Sequence, residues 1–121
     1  MQRAKGATGE RTVGNMFKEH GFDAKRNLMQ TSEGGFDLLI TGVPIAVEIK
    51  NHKKLNINAW WKQTTAQATD GLIPVLIYHI PNTSRWLVQM PLSAVNETLD
   101  SNRTVTMDFE DFIYIAREVI V

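Results

Sequence analysis

The sequence contains no cysteine among its 121 residues, and no apolar stretch approaches the ~18 residues that a membrane-spanning helix needs. The first absence excludes disulfides and thiolate metal sites, so a bound metal would have oxygen or imidazole ligands. The N-terminal residues also lack the apolar segment of a secretory signal, which predicts a soluble, cytoplasmic protein. Repeats, low-complexity tracts and linkers are missing as well. We therefore expect a single domain over residues 1–121, built around one core.

The sequence also has no formal net charge, because 13 basic side chains balance 13 acidic ones. This balance argues against a protein that coats nucleic acid nonspecifically. The charges are unevenly distributed along the chain. Residues 1–62 hold ten Lys or Arg and six Asp or Glu (net +4), whereas residues 63–121 hold three and seven (net −4). A basic half can face phosphates while the acidic half faces away, although an ordinary solvated surface explains the same numbers.

Hydrophobic periodicity predicts an α/β fold. Residues 7–20 have the spacing of an amphipathic helix, with Thr8 as its cap and Gly21 at the position after its end. Residues 36–40 and 44–50 are strands whose short connection requires antiparallel pairing. The other predicted elements are strands at residues 23–29, 72–80, 84–90 and 103–106, helices at 59–70 and 108–119, and a short helix within 91–99. The order αβββαββ favours an α/β sandwich around a mixed sheet.

Two acids and a lysine occur in strands whose other residues suit a core. Side chains alternate along a strand, so Glu48 and Lys50 share a face about 6.6 Å apart, and Asp37 on the neighbouring strand can reach it. Two carboxylates and a nearby backbone carbonyl, that of Ile49, suit a small divalent cation such as Mg²⁺. Lys50 beside that cation would orient water or stabilise charge on a phosphate. A solvated charge cluster on an amphipathic hairpin explains the same pattern.

The context of these residues resembles a known family over about residues 5–80. Asp37 is followed at an eleven-residue interval by Glu48-Ile49-Lys50, and the preceding helix carries the segments Lys5-Gly6 and Gly9-Glu10-Arg11. This arrangement is similar to the PD-(D/E)xK nuclease superfamily, and within it to the archaeal-type Holliday junction resolvases and their phage relatives. One departure is Phe36, at a position where many relatives carry proline.

The resemblance implies a restriction-endonuclease-like mixed β-sheet flanked by helices, and metal-dependent hydrolysis of DNA phosphodiester bonds. Mg²⁺ is the expected metal, with Mn²⁺ as the alternative. Asp37 and Glu48 would be metal ligands, Lys50 the catalytic lysine, and Glu10 a helix carboxylate that contributes to the catalytic and metal site. The resemblance also implies a homodimer whose two sites nick opposing strands of branched DNA, working in the host cytoplasm if the protein is phage-encoded.

The same resemblance adds a glutamine and a serine to the candidates, and the charges and aromatic rings of other residues add candidates for DNA contact. Gln63, in the run Trp60-Trp61-Lys62-Gln63, would be a catalytic-site glutamine, although a polar residue on a solvated helix face explains it equally. The two tryptophans would stack on bases, fill a dimer interface or belong to the core. Ser32 or Thr31 would replace a resolvase serine, an assignment that the spacing leaves open. The candidate DNA-binding residues are Arg3, Lys5, Arg11, Lys25, Arg26, Ser32, His52, Lys53 and Lys54.

The leading interpretation is a structure-selective endonuclease, a Holliday junction resolvase. Its alternatives are a nuclease of the same fold that cuts duplex or flap DNA, and a non-catalytic nucleic-acid-binding module. The complete set of Asp37, Glu48, Lys50 and Glu10 argues against the last of these.

Overall fold

The computed structural model describes residues 2–27, 35–68 and 71–121, and within them the side chains from residue 8 onward. The elements are α1 (Gln2–Glu19), β1 (Ala24–Arg26), β2 (Leu38–Ile40), β3 (Ile45–Lys50), α2 (Ile57–Gln67), β4 (Ile73–His79), β5 (Trp86–Pro91), a 3-10 turn (Leu92–Ala94), β6 (Thr104–Asp108), α3 (Phe109–Ile115) and a π-helical turn (Ala116–Ile120). The predicted order αβββαββ is confirmed, and the expected last strand and helix follow it as β6 and α3. No helix in the described ranges is long and apolar enough to cross a bilayer.

The described strands form one mixed sheet in the order β1-β2-β3-β4-β5-β6. The predicted hairpin of β2 and β3 pairs antiparallel, with Leu38 opposite Val47. Only β3 and β4 pair parallel among these strands, because α2 provides the crossover that a parallel pair requires. Strand β3, which carries Glu48 and Lys50, therefore lies inside the sheet, between its antiparallel partner β2 and its parallel partner β4.

Helices cover both faces of the sheet, as the sandwich prediction requires. On one face, side chains of α1 and α3 pack with the odd-numbered residues of β3 in the larger core. On the other face, Trp60 of α2 packs against Leu76 and Tyr78 of β4. Glu48 is paired with Leu76 and Lys50 with Tyr78, so both lie on the α2 face. The members of the larger core include Val13, Phe17, Val47, Ile49, Val75, Ile77, Phe109 and Phe112.

The first helix differs from its prediction at its start but not at its end. α1 begins at Gln2, so Thr8 lies inside the helix and does not cap it. The earlier start is explained by the good helix formers among residues 2–7, which continue the helix without a cap signal. Its end is a Schellman motif: Gly21 adopts a φ of +87°, and the amide of Phe22 donates to the carbonyl of Phe17 at 3.0 Å.

Other helices and strands begin or end at residues that differ from the predicted ones, for local reasons. α2 ends at Gln67, earlier than predicted, because Ala68 is extended. β5 begins at Trp86 because the two residues before it belong to a turn, in which the amide of Arg85 donates to Thr83 Oγ1 at 3.0 Å. The predicted strand over residues 23–29 is described only to residue 27. Thr31 and Ser32 lie outside the described residues.

Candidate active site

Asp37 immediately precedes β2. Its carboxylate accepts a hydrogen bond from β3 that a main-chain carbonyl would accept in a regular ladder. Its amide donates to the carbonyl of Val47 at 2.7 Å, in line with the β2–β3 ladder. Two residues further along β3, the amide of Ile49 donates to Asp37 Oδ2, also at 2.7 Å. The amide and carbonyl of a strand residue point to the same side of the strand. The carbonyl of Ile49 is therefore directed towards the edge where Asp37 lies.

Glu48 is buried on the α2 face of the sheet, with only 3% of its surface exposed. Burial raises the pKa of its carboxyl to about 9, and the hydrogen bond to Asp37 and the negative charge of Asp37 act in the same direction. The positive charge of Lys50, which is half-buried on the same face, lowers this pKa and partly offsets the rise. A carboxylate in this position is stabilised by a cation and destabilised without one.

Glu10 reaches the same edge from α1, and the preceding residue, Gly9, packs next to the end of β3. A Cβ atom on Gly9 would lie 3.4 Å from both Asn51 Cβ and Ile49 Cγ2, at van der Waals contact, so a side chain larger than that of alanine would press against the end of β3. The pKa of Glu10 is raised by burial and by the charge of Asp37, and it is lowered by Arg26.

Arg26 at the end of β1 provides that counter-charge directly. Its Nε donates to Glu10 Oε2 at 2.9 Å. Asp37 shares side-chain hydrogen bonds with both Glu10 and Glu48. The three carboxylates therefore form one contiguous group, with Arg26 at one end and Lys50 at the other.

A glutamine of α2 contacts this group, but it is Gln67 and not the predicted Gln63. In the amide orientation that satisfies its neighbours, Gln67 Nε2 donates to Glu48 Oε2 at 2.7 Å and to the carbonyl of Gly35 at 3.3 Å. Gln63 Nε2 donates to Gln67 Oε1 at 3.2 Å. Gln63 is therefore one hydrogen bond further from the carboxylates than the sequence predicted. The sequence did contain the signal, because the two glutamines are one helical turn apart.

The donor set suits a hard divalent cation. In residues 8–27, 35–68 and 71–121, no group of three or more His, Asp or Glu side chains is arranged to hold a metal ion as it stands. The chemistry of the donors nevertheless fits: Asp37, Glu48 and Glu10 supply oxygen ligands, and the Ile49 carbonyl faces the same edge. Burial, followed by the influence of Asp37, raises the pKa of both Glu48 and Glu10, so their ionised forms are disfavoured where they lie. A cation between these carboxylates would relieve their repulsion.

The basic candidates lie in different places. Arg11 and Arg26 border an open groove that ends at Glu10. Lys25 lies on the opposite face of β1 from Arg26, because side chains alternate along a strand. Lys53 and Lys54 are exposed in the connection between β3 and α2. The side chains of Arg3 and Lys5 lie outside the described residues.

The aromatic residues of α2 belong mainly to the core. Trp60 is 8% exposed and packs in the α2 face of the sandwich, whereas Trp61 is half-buried at its margin. The ring of His52 lies 5.3 Å from that of Trp60 at an angle of 34°. Trp60 is therefore not available to stack on a base.

Comparisons with known proteins identify the fold and the family. A search of curated protein sequences finds no match. Among solved structures, Hjc, a Holliday junction resolvase from the archaeal hyperthermophile Archaeoglobus fulgidus, is similar with a TM-score of 0.53 and 18% sequence identity, over 93% of this chain and 88% of that chain. At this identity the likeness shows the fold, and it confirms the predicted restriction-endonuclease-like architecture. The family model described as "Phage putative PDDEXK endonuclease" matches residues 1–119. The chain therefore belongs to this family of PDDEXK nucleases.

Proposed function

We propose that the protein is a divalent-metal-dependent endonuclease that cuts branched DNA. The observation that carries the proposal is the burial of Glu48 against Asp37, which raises the pKa of Glu48 to about 9. Burying the carboxylate of Glu48 beside that of Asp37 is costly for folding, and the cost is understandable if a cation is bound between them. Membership of a nuclease family supports phosphodiester hydrolysis as the reaction.

Asp37 and Glu48 would hold the metal with the Ile49 carbonyl, and Glu10 would complete the set. The metal, Mg²⁺ or Mn²⁺, would supply a Lewis acid for the phosphate and lower the pKa of a water molecule. The hydrogen bond from the Ile49 amide fixes the orientation of Asp37.

The remaining residues act around these ligands. Gln67 fixes the orientation of Glu48 by donating to Oε2. Lys50, on the same face as Glu48, would bind a phosphate oxygen or orient the attacking water, and so stabilise the charge that develops on the phosphate. Arg26 compensates the charge of Glu10 until substrate or metal binds.

Branched DNA is the proposed substrate because the similar structure is described as a Holliday junction resolvase and is covered over most of its length. A protein that makes paired nicks needs two sites, so a homodimer is part of the proposal. A nuclease of the same fold that acts on duplex or flap DNA is the competing function, and the site described here suits its chemistry equally well.

The decisive experiment compares a four-way DNA junction with a linear duplex of matching sequence in Mg²⁺. Symmetric paired nicks on the junction alone would support resolution, and equal cleavage of the duplex would favour the competing function. Asp37→Asn and Glu48→Gln should each abolish cleavage while DNA binding persists. Glu97→Gln is the matched control, because it neutralises an exposed carboxylate in the connection between β5 and β6. Undiminished cleavage by both site variants would refute the nuclease site.

A further inference from the structure

A groove runs between α1 and the strands β1 and β2, and its lining includes Glu10 of the proposed active site. One wall is a stripe of α1 residues at helical spacing, formed by Arg11, Gly14, Asn15 and Lys18. The opposite wall is formed by Ala24 and Arg26 of β1 and Leu38 of β2, and Glu10 lies at the end of the groove nearest β3. The groove is therefore open to solvent and continuous with the carboxylate group.

Positive charge dominates this groove. Its walls hold three cationic side chains, those of Arg11, Lys18 and Arg26, against the single carboxylate of Glu10. Arg26 is already paired with Glu10 at 2.9 Å. Arg11 and Lys18 are exposed, and neither forms an ion pair with any residue that the structure describes. Two cations thus remain available for an anionic ligand.

Gly14 leaves space unfilled in the middle of the groove. It lies inside α1, where glycine weakens a helix by about 1 kcal/mol relative to alanine. A Cβ atom at this position would meet no other atom within 4 Å, so tight packing does not explain the glycine. A larger side chain here would project into the groove between Arg11 and Lys18.

The length of the groove fits a short stretch of one nucleic-acid strand. Arg11 and Lys18 are seven residues apart, which corresponds to about 10.5 Å at a rise of 1.5 Å per residue. That distance equals roughly three nucleotides at an axial rise of 3.4 Å per nucleotide in one strand.

We propose that this groove binds the phosphodiester backbone of one DNA strand next to the bond that is cut, with Arg11 and Lys18 contacting phosphates about three nucleotides apart. The inference rests on the proposed nuclease function and extends it. Lys18, Asn15 and Gly14 become part of the substrate site. The strand would pass from Lys18 towards Arg26 and Glu10, and so enter the carboxylate group from the α1 side.

Binding of a fluorescent single-stranded oligonucleotide in EDTA tests this inference without cleavage. Lys18→Gln should weaken binding and reduce the slope of log K against log salt concentration by about 0.7, because one phosphate contact is lost. Arg103→Gln is the charge-matched control at the opposite edge of the sheet, and it should leave the slope unchanged.

Two substitutions of Gly14 test the space in the groove independently of its positive charge. Gly14→Leu fills the groove without changing charge and should weaken binding at least as much as Lys18→Gln. Gly14→Ala adds only a methyl group and should bind as the wild type does, with a slightly higher melting temperature. Melting temperatures of all variants establish that each is folded.

The outcomes distinguish the two proposals. If the wild type neither binds nor cleaves DNA, the proposed function itself is wrong, and the groove inference is lost with it. If the wild type binds and cleaves but Lys18→Gln and folded Gly14→Leu match it, only the groove inference is overturned. Loss of binding in both variants, with Gly14→Ala and Arg103→Gln unaffected, supports it.

Discussion

Replacing Glu48 with glutamine should reduce the loss of folding stability that the metal-free protein undergoes as pH rises, although the substitution removes a proposed metal ligand. In the folded protein, burial raises the pKa of this carboxyl from 4.5 to about 9, with the hydrogen bond and charge of Asp37 adding to the rise. Between these values the folded protein retains a proton that the unfolded chain releases. The stability that this group contributes is complete below the unfolded pKa and is lost as pH rises towards the folded pKa.

The size of this stability loss follows from the single proton that unfolding releases from Glu48 in this pH range. Each pH unit inside this window lowers the free energy of unfolding by about 1.4 kcal/mol. A rise from about pH 6 to about pH 8 should therefore cost the wild type about 2–3 kcal/mol. Glutamine has nearly the same shape and does not titrate, so Glu48→Gln should not show this loss.

The assay is urea unfolding in EDTA at several pH values, with Glu97→Gln as the control that should follow the wild type. Mg²⁺ provides a second readout, because a cation that binds only the folded state should stabilise the wild type at high pH and stabilise Glu48→Gln less. Parallel stability profiles for the wild type and Glu48→Gln would refute the assignment of a strained, buried carboxylate at this position.

Three further predictions address the rest of the site. Gln67→Ala should lower metal affinity or activity about 10- to 100-fold, as loss of a residue that orients a metal ligand typically does, and Gln63→Ala should have a smaller effect. A larger effect of Gln63→Ala in metal titrations would indicate that Gln63 is the site glutamine. Gly9→Val should cost about 1–3 kcal/mol of stability by overpacking α1 against β3, and cleavage should fall with it; an unchanged unfolding midpoint would contradict the close packing. Lys50→Ala should lose most cleavage in single-turnover assays but keep the Mg²⁺-dependent rise in melting temperature, with Lys62→Ala as the control; loss of that rise would give Lys50 a role in metal binding instead.

The hairpin and its acids could be predicted from sequence because they depend on local rules. Alternation with a period of two residues places Glu48 and Lys50 on one face, and the short connection brings Asp37 beside them. Both features were predicted, and the structure shows the same arrangement. The functions of these residues remain proposals.

Other parts of the site depend on tertiary packing, which local patterns do not determine. Gln63 and Gln67 lie on the same face of α2, and only the position of that helix along β3 decides which of them reaches Glu48. The ion pair of Arg26 with Glu10 joins two elements whose relative placement follows from the sheet order. The early start of α1 was missed because no capping residue marks it.

The hydrogen bond between the Ile49 amide and Asp37 gives the protein a spectroscopic probe inside its own main chain. Amide protons in a sheet ordinarily sense a neighbouring carbonyl, whereas this one senses a carboxylate at 2.7 Å. Its chemical shift and its exchange with solvent will therefore respond to the arrival of any cation at that carboxylate. A single backbone resonance can thus follow occupancy of the proposed metal site under conditions in which no substrate is turned over.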